Sequence, residues 1–98
     1  MPRTPRLFFV VCYDIVNDKV RKKISDTLLD FGGRRVQYSV FEAILTPTEY
    51  QQMKGAVSSV IDPTEDAVRY YTLCRSCCRR IEVTQNSKIT SRPETVIV

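Results

Sequence analysis

The stretch Leu7-Phe8-Phe9-Val10-Val11-Cys12-Tyr13 is continuously apolar and rich in β-branched and aromatic side chains. Without polar alternation, such a run predicts a strand buried on both faces. It ends in Asp14, and a helix-start signal follows at once. The first helix is expected from about Asp18 to Phe31, with Asn17 or Asp18 as its N-cap. Val20, Ile24, Leu28 and Phe31 recur on one face at helical spacing. Arg21, Lys22, Lys23, Asp26 and Asp30 lie on the other. Gly32-Gly33 ends the helix, because glycine accepts the left-handed turn that follows a helix.

From Arg34 to Leu45 the composition favours β structure. Read as one strand it is long. Read as two, it needs a tight turn near Tyr38-Ser39, where neither Gly nor Asn marks one. Thr46-Pro47-Thr48-Glu49 is a capping box with proline at the first helical position. It opens a second helix with Tyr50, Met53, Val57 and Val60 or Ile61 as its apolar stripe, stopped by Asp62-Pro63. Ala67 to Cys74 reads as a strand with Val68, Tyr70 and Thr72 on one face. Ile81-Glu82-Val83-Thr84 reads as a short additional strand.

The order β-α-β-β-α-β predicts an α+β, ferredoxin-like domain over residues 1–84, including that extra C-terminal strand, followed by a tail over 85–98. Both helices cover one face of an antiparallel sheet. In a chain this small the other face is expected to be covered by a second copy, giving a two-fold homodimer. The segment from Ile81 would then extend the partner's sheet edge.

Composition narrows the chemistry. Ninety-eight residues make one domain with little room for a deep cavity in a single copy. Lys and Arg total 15 against 11 acids, a net charge of +4, and histidine is absent. The mild basic surplus suits a phosphate-binding surface and equally an inert solvated one. Arg3 and Arg6 precede an apolar run too short to span a bilayer, and no small-residue cleavage site follows. A cytoplasmic protein without membrane contact is expected. Cys74-x-x-Cys77-Cys78 has a metal-like spacing, but a zinc site would need Cys12 from a different strand as fourth ligand. A disulfide framework does not suit a reducing cytosol. The plainer reading is small, semi-buried thiols.

Asp14 is the candidate for chemistry. A carboxylate at the mouth of a central strand needs a partner, and a metal ion or a metal-bridged phosphate is a usual one. The competing role is a turn or helix cap. Asn17 and Asp18, however, lie closer to the helix start.

Tyr13-Asp14-Ile15, Arg21-Lys22-Lys23, Gly32-Gly33 and Arg35-Val36-Gln37-Tyr38-Ser39-Val40-Phe41-Glu42 form a graded series of signals. The first is weak alone and the last is specific. With Val68-Arg69-Tyr70-Tyr71 and Leu73-Cys74, the chain resembles the CRISPR-associated Cas-two family of bacterial and archaeal adaptive immunity from Leu7 to Val83. The resemblance implies a ferredoxin-like homodimer with Tyr38-Ser39 as the turn between strands two and three. It implies that Asp14 is a catalytic, metal-binding aspartate, with Mg²⁺, or Mn²⁺ in its place, between two copies. Tyr13, Arg21, Lys23, Arg35 and Phe41 fall on motif positions of the family. Lys23 stands where some members have arginine, and a point charge replaces a planar fork. Members are described as metal-dependent endonucleases of RNA or DNA. They also join the Cas-one integrase, which captures and integrates new spacers.

One carboxylate per chain fits this chemistry only in a dimer, because Mg²⁺ is usually held by one or two carboxylates plus waters and substrate phosphate. Two functions stay open. One is a Mg²⁺-dependent phosphodiesterase. The other is a non-catalytic DNA-binding scaffold that spaces two integrase copies. Arg21, Lys23, Arg34, Arg35, Arg75, Arg79 and Arg80 are the candidate nucleic-acid contacts in either case; the competing reading for each is a solvated face. An RNA-recognition module lacks its aromatic strand motif here.

Overall fold

A computed structural model describes residues 5–84, so the expected tail over 85–98 lies outside the described residues. Its elements are β1 (Leu7–Asp14), α1 (Asp18–Asp30), β2 (Arg34–Gln37), β3 (Val40–Leu45), α2 (Pro47–Ser58), β4 (Ala67–Leu73) and α3 (Arg75–Cys78). The four strands form one sheet in the order β2-β3-β1-β4, and every neighbouring pair is antiparallel. This is the ferredoxin-like topology expected from the element order.

The apolar run forms the central strand β1, flanked by β3 and β4. Phe9, Val11 and Tyr13 point into the core with Ile24 and Leu28 of α1, Phe41 and Leu45 of β3, and Met53 and Val57 of α2. Alternation sends Phe8, Val10, Cys12 and Asp14 to the other face. There the expectation of two buried faces holds only in part. Val10 and Cys12 are half-buried and Asp14 is exposed. Phe8 is fully buried, because α3 packs against β1.

The helices begin where the caps place them. The Asn17 side chain accepts from the Val20 amide at 3.0 Å. Thr46 and Glu49 close a reciprocal capping box. α1 ends at Asp30, with Phe31 as C-cap. Gly32 follows at φ 84°, a left-handed conformation that side chains rarely adopt. α2 ends at Ser58, earlier than Asp62-Pro63, because the Ser59 hydroxyl bonds back to the Ala56 carbonyl and Val60 turns onto Val57. Val60 and Ile61 still pack on the core from that turn.

Residues 34–45 form two strands, with Tyr38-Ser39 as the turn. β1 resolves what the local sequence leaves open. The Tyr13 amide donates to the Ser39 carbonyl at 3.1 Å, so the end of the central strand holds the turn in place. A register shift between Arg35 and Gln37 bends β2 into it. On β4, Val68 and Tyr70 pack on the core, whereas Thr72 is exposed at the sheet edge.

The expected strand at Ile81–Thr84 is not formed within this chain. After Leu73 the chain turns into α3, and residues 81–84 carry no regular structure. Cys74 supplies the reason locally: its sulfur accepts from the Cys77 amide at 3.4 Å and starts a helical turn instead of prolonging β4. No described helix is long and apolar enough to cross a membrane.

Candidate active site

Asp14 is the last residue of β1 and stands opposite Ala67 of β4. Its carboxylate lies on the sheet face that α1 and α2 leave open. Among the described residues it has no hydrogen bond and no ion pair. The capping role belongs to Asn17, so the turn-or-cap reading of Asp14 does not hold. Along the same face run Val10 opposite Glu42 and Tyr71, and Cys12 opposite Val40 and Arg69.

Besides the Asn17 cap, one side chain of α1 laces the loop after Asp14. Arg21 donates from Nη1 to the Ile15 carbonyl at 2.8 Å and to the Val16 carbonyl at 3.4 Å. Its Nη2 pairs with Asp18. The guanidinium also lies over the Tyr38 ring, 5.5 Å from its centroid. From the other side, the Tyr13 ring stacks on Phe41 at 6.2 Å, inside the core. The Tyr13 hydroxyl is buried with no partner among the described residues. Asp14 is thereby fixed by a packed aromatic ring before it and a tethered loop after it.

Arg35 points to the helix-covered side. Its Nη2 donates to the Ser25 hydroxyl at 2.5 Å, and its guanidinium lies 5.4 Å from the Phe41 ring centroid. Arg21, Arg35, Ser25 and Tyr38, with Asp18 and Lys22, line an open pocket of about 190 Å³. Lys23 is exposed on α1 and does not line it. Arg34 is exposed opposite Glu42 on the open sheet face. Arg75, Arg79 and Arg80 are exposed on and just after α3. α3 follows Leu73, which pairs with Phe8, whereas Asp14 lies six residues further along β1. At about 3.3 Å per residue this puts roughly 20 Å between α3's end of the sheet and Asp14.

The basic residues therefore fall into separate groups. Arg21 and Arg35 meet in the pocket beside the Asp14 loop. Arg34 belongs to the open sheet face. Arg75, Arg79 and Arg80 belong to the opposite end of the strands. Phe41 is fully buried and supports Tyr13 and Arg35 from within. Three residues were not among the site candidates of the sequence. Ser25 is a buried polar residue beside Ile24 on α1, and its place next to the apolar stripe was the available signal. Tyr38 is 69% exposed beneath Arg21, which is unusual for a large aromatic ring. Arg69 lies two residues from Ala67 and so shares the face of Asp14, which the strand period alone could have indicated.

The donor set sets a limit on metal binding. No group of three or more His, Cys, Asp or Glu side chains suited to a metal exists among the described residues. At the end of β1 one copy thus offers the Asp14 carboxylate with no ligand cluster around it. Two copies facing across a two-fold axis would offer two, which suits Mg²⁺ completed by water and phosphate oxygens.

Residues 7–81 match the family CRISPR associated protein Cas2. The chain is 34% identical over 90 residues to a CRISPR-associated endoribonuclease Cas2 of Synechocystis sp., covering 92% of this chain and 97% of that one. The crystal structure of Streptococcus pyogenes Cas2 superposes with a TM-score of 0.70 at 32% identity, over 79% of this chain and 98% of that one. A chain of a partial Cas6-RT-Cas1–Cas2 complex does so with a TM-score of 0.68 at 28% identity, over 88% of this chain and 98% of that one. A ferredoxin-like sheet with a free aspartate closing its central strand, matched along most of its length by these sequences and structures, is a member of the CRISPR-associated protein Cas2 family.

Proposed function

We propose that this chain is a metal-dependent endonuclease of RNA or DNA that works as a two-fold homodimer in CRISPR spacer acquisition. The observation that carries the reading is Asp14: an exposed, unpartnered carboxylate held in a tethered loop, on a sheet face that one chain leaves incomplete. The Synechocystis relative is named an endoribonuclease, and the Cas6-RT-Cas1–Cas2 complex names a Cas1 protein as partner of its Cas2 chain. Both support the assignment.

The dimer follows from the open face. Val10, Cys12, Val40 and Ile44 are half-buried there, and Tyr71 is 47% exposed. A second copy would cover this apolar strip and bring the second Asp14 opposite the first. The pair would hold Mg²⁺ or Mn²⁺, which when bound supplies Lewis acidity and a more acidic water in a protein that has no histidine. Arg21 fixes the loop that carries the carboxylate. Arg34 and Arg69, on the same open face, supply positive charge for substrate phosphates.

One observation favours a further role beside cleavage. Arg75, Arg79 and Arg80 lie at the far end of the strands from Asp14, too distant to serve the same phosphate. We assign them to duplex DNA backbone in an assembly with the Cas1 integrase. Cleavage of single-stranded RNA and of duplex DNA by wild type and Asp14→Asn, with Mg²⁺ and with chelator, tests the catalytic reading. Metal-dependent cleavage lost in Asp14→Asn supports it. Cleavage that survives both chelation and the substitution overturns it.

A further inference from the structure

We propose that Cys74 and Cys77 are a reversible dithiol–disulfide pair that reacts with low-molecular-weight disulfides, with Cys74 as the attacking thiol and Cys77 as the resolving one. Both residues are exposed, whereas Cys78 is half-buried. Cys74 is the N-cap of α3 and Cys77 lies three residues on, within the helix. A single turn joins them: the Cys77 amide donates to Cys74 Sγ at 3.4 Å, and the Cys78 amide donates to the Cys74 carbonyl at 2.9 Å. Residues three apart in one turn have Cα atoms under about 7 Å apart, a separation that overlaps the range a disulfide spans. Cys78 is turned away, with its sulfur 3.8 Å from the Leu73 carbonyl oxygen.

The electrostatics divide the roles in the same way. The Ser76 hydroxyl, 3.2 Å from Cys74 Sγ, and then the Cys77 thiol and amide hold the Cys74 thiol down to about 7. Its hydrogen bond to Cys74 and then the charge of that group push Cys77 up. Burial first, then the neighbouring thiolates and Glu42, push Cys78 up. An attacking thiol works best with a pKa near ambient pH and free access to solvent, which Cys74 alone combines here. Such a pair is also the form in which disulfides occur in a reducing compartment: transient, not structural.

The exchange balances without another reagent. The Cys74 thiolate attacks one sulfur of a disulfide RSSR, forms a Cys74–SR bond and releases RS⁻. Cys77, after losing its proton to solvent, attacks Cys74 Sγ and expels the second RS⁻. Two protein thiols are oxidised by two electrons, and RSSR is reduced to two thiols. The product cross-links the turn from which Arg75 and Arg79 project.

The test uses the full chain equilibrated with mixtures of reduced and oxidised glutathione, trapped by alkylation and mapped by mass spectrometry. The expected result is one intrachain Cys74–Cys77 disulfide in wild type and in Cys78→Ser. Cys77→Ser should accumulate a glutathione adduct on Cys74, and Cys74→Ser should form neither disulfide nor preferred adduct. In the reduced protein at neutral pH, Cys74 should be alkylated ahead of Cys77 and Cys78. Disulfides mapped to Cys12 or Cys78, only cross-links between chains, equal reaction of all thiols, or no disulfide even with oxidised glutathione in excess would each overturn the assignment.

Discussion

At the candidate site Asp14 has no partner among the described residues, whereas the Arg21 guanidinium has three. Arg21 spends its donors on the Ile15 and Val16 carbonyls and on Asp18, so its first effect is to hold the Asp14 loop. Arg21→Ala should lower stability by about 1–2 kcal/mol, the usual worth of charge-assisted bonds at a partly exposed site. Its cleavage defect should appear mainly in kcat, with KM for nucleic acid little changed. A pure KM effect would make Arg21 a phosphate ligand instead. Thermal denaturation and steady-state cleavage, measured side by side, separate the two roles.

At the scale of elements, the junction after α1 carries the tightest packing constraint. A Cβ on Gly33 would stand 2.7 Å from the Leu28 carbonyl oxygen, a backbone atom that cannot swing away, and 3.4 Å from the Phe41 ring. Gly33→Ala should therefore destabilise the fold by about 1–3 kcal/mol, read as a lower denaturant midpoint. Gly32 has open space around it but a positive φ, so Gly32→Ala should cost about 1 kcal/mol through backbone strain alone. If the two variants proved equally mild, the close approach of α1 to β3 would be looser than the structure has it.

For the whole molecule, the open sheet face and the segment after α3 bear on assembly. Light scattering at micromolar concentration should give a dimer. Removing the chain after Cys78 should weaken that dimer if Ile81–Thr84 pairs with the partner's sheet edge; a dimer of unchanged affinity would leave the sheet face as the whole interface. Binding to duplex DNA should fall steeply with salt and depend little on sequence, because backbone contacts release condensed counterions. Neutralising Arg79 and Arg80 together should flatten the salt slope by about two, roughly one for each lost phosphate contact. Asp14→Asn should leave that slope unchanged, since the carboxylate and these arginines occupy opposite ends of the strands.

Much of this was legible in the chain order. The central strand, the two helix starts, the capping box at Thr46 and the Asp14 position are local signals, written within a few residues and insensitive to what lies elsewhere. The hairpin at Tyr38-Ser39 was legible only through the family resemblance, because no turn-forming residue marks it. It is decided by the Tyr13 amide meeting the Ser39 carbonyl across the sheet. The arginines were equally ambiguous in sequence. Whether Arg21 and Arg35 face a carbonyl, a hydroxyl or solvent depends on which acceptors the fold brings within reach. The segment after β4 read as a strand by composition, yet Cys74 begins a helical turn there and residues 81–84 join no strand among the described residues. Local propensity and spacing determined the central strand, the two long helices, β4 and the place of Asp14 at a strand end. Hydrogen-bond partners distant in sequence decided the turn, the roles of the basic residues and the path of the chain beyond the sheet.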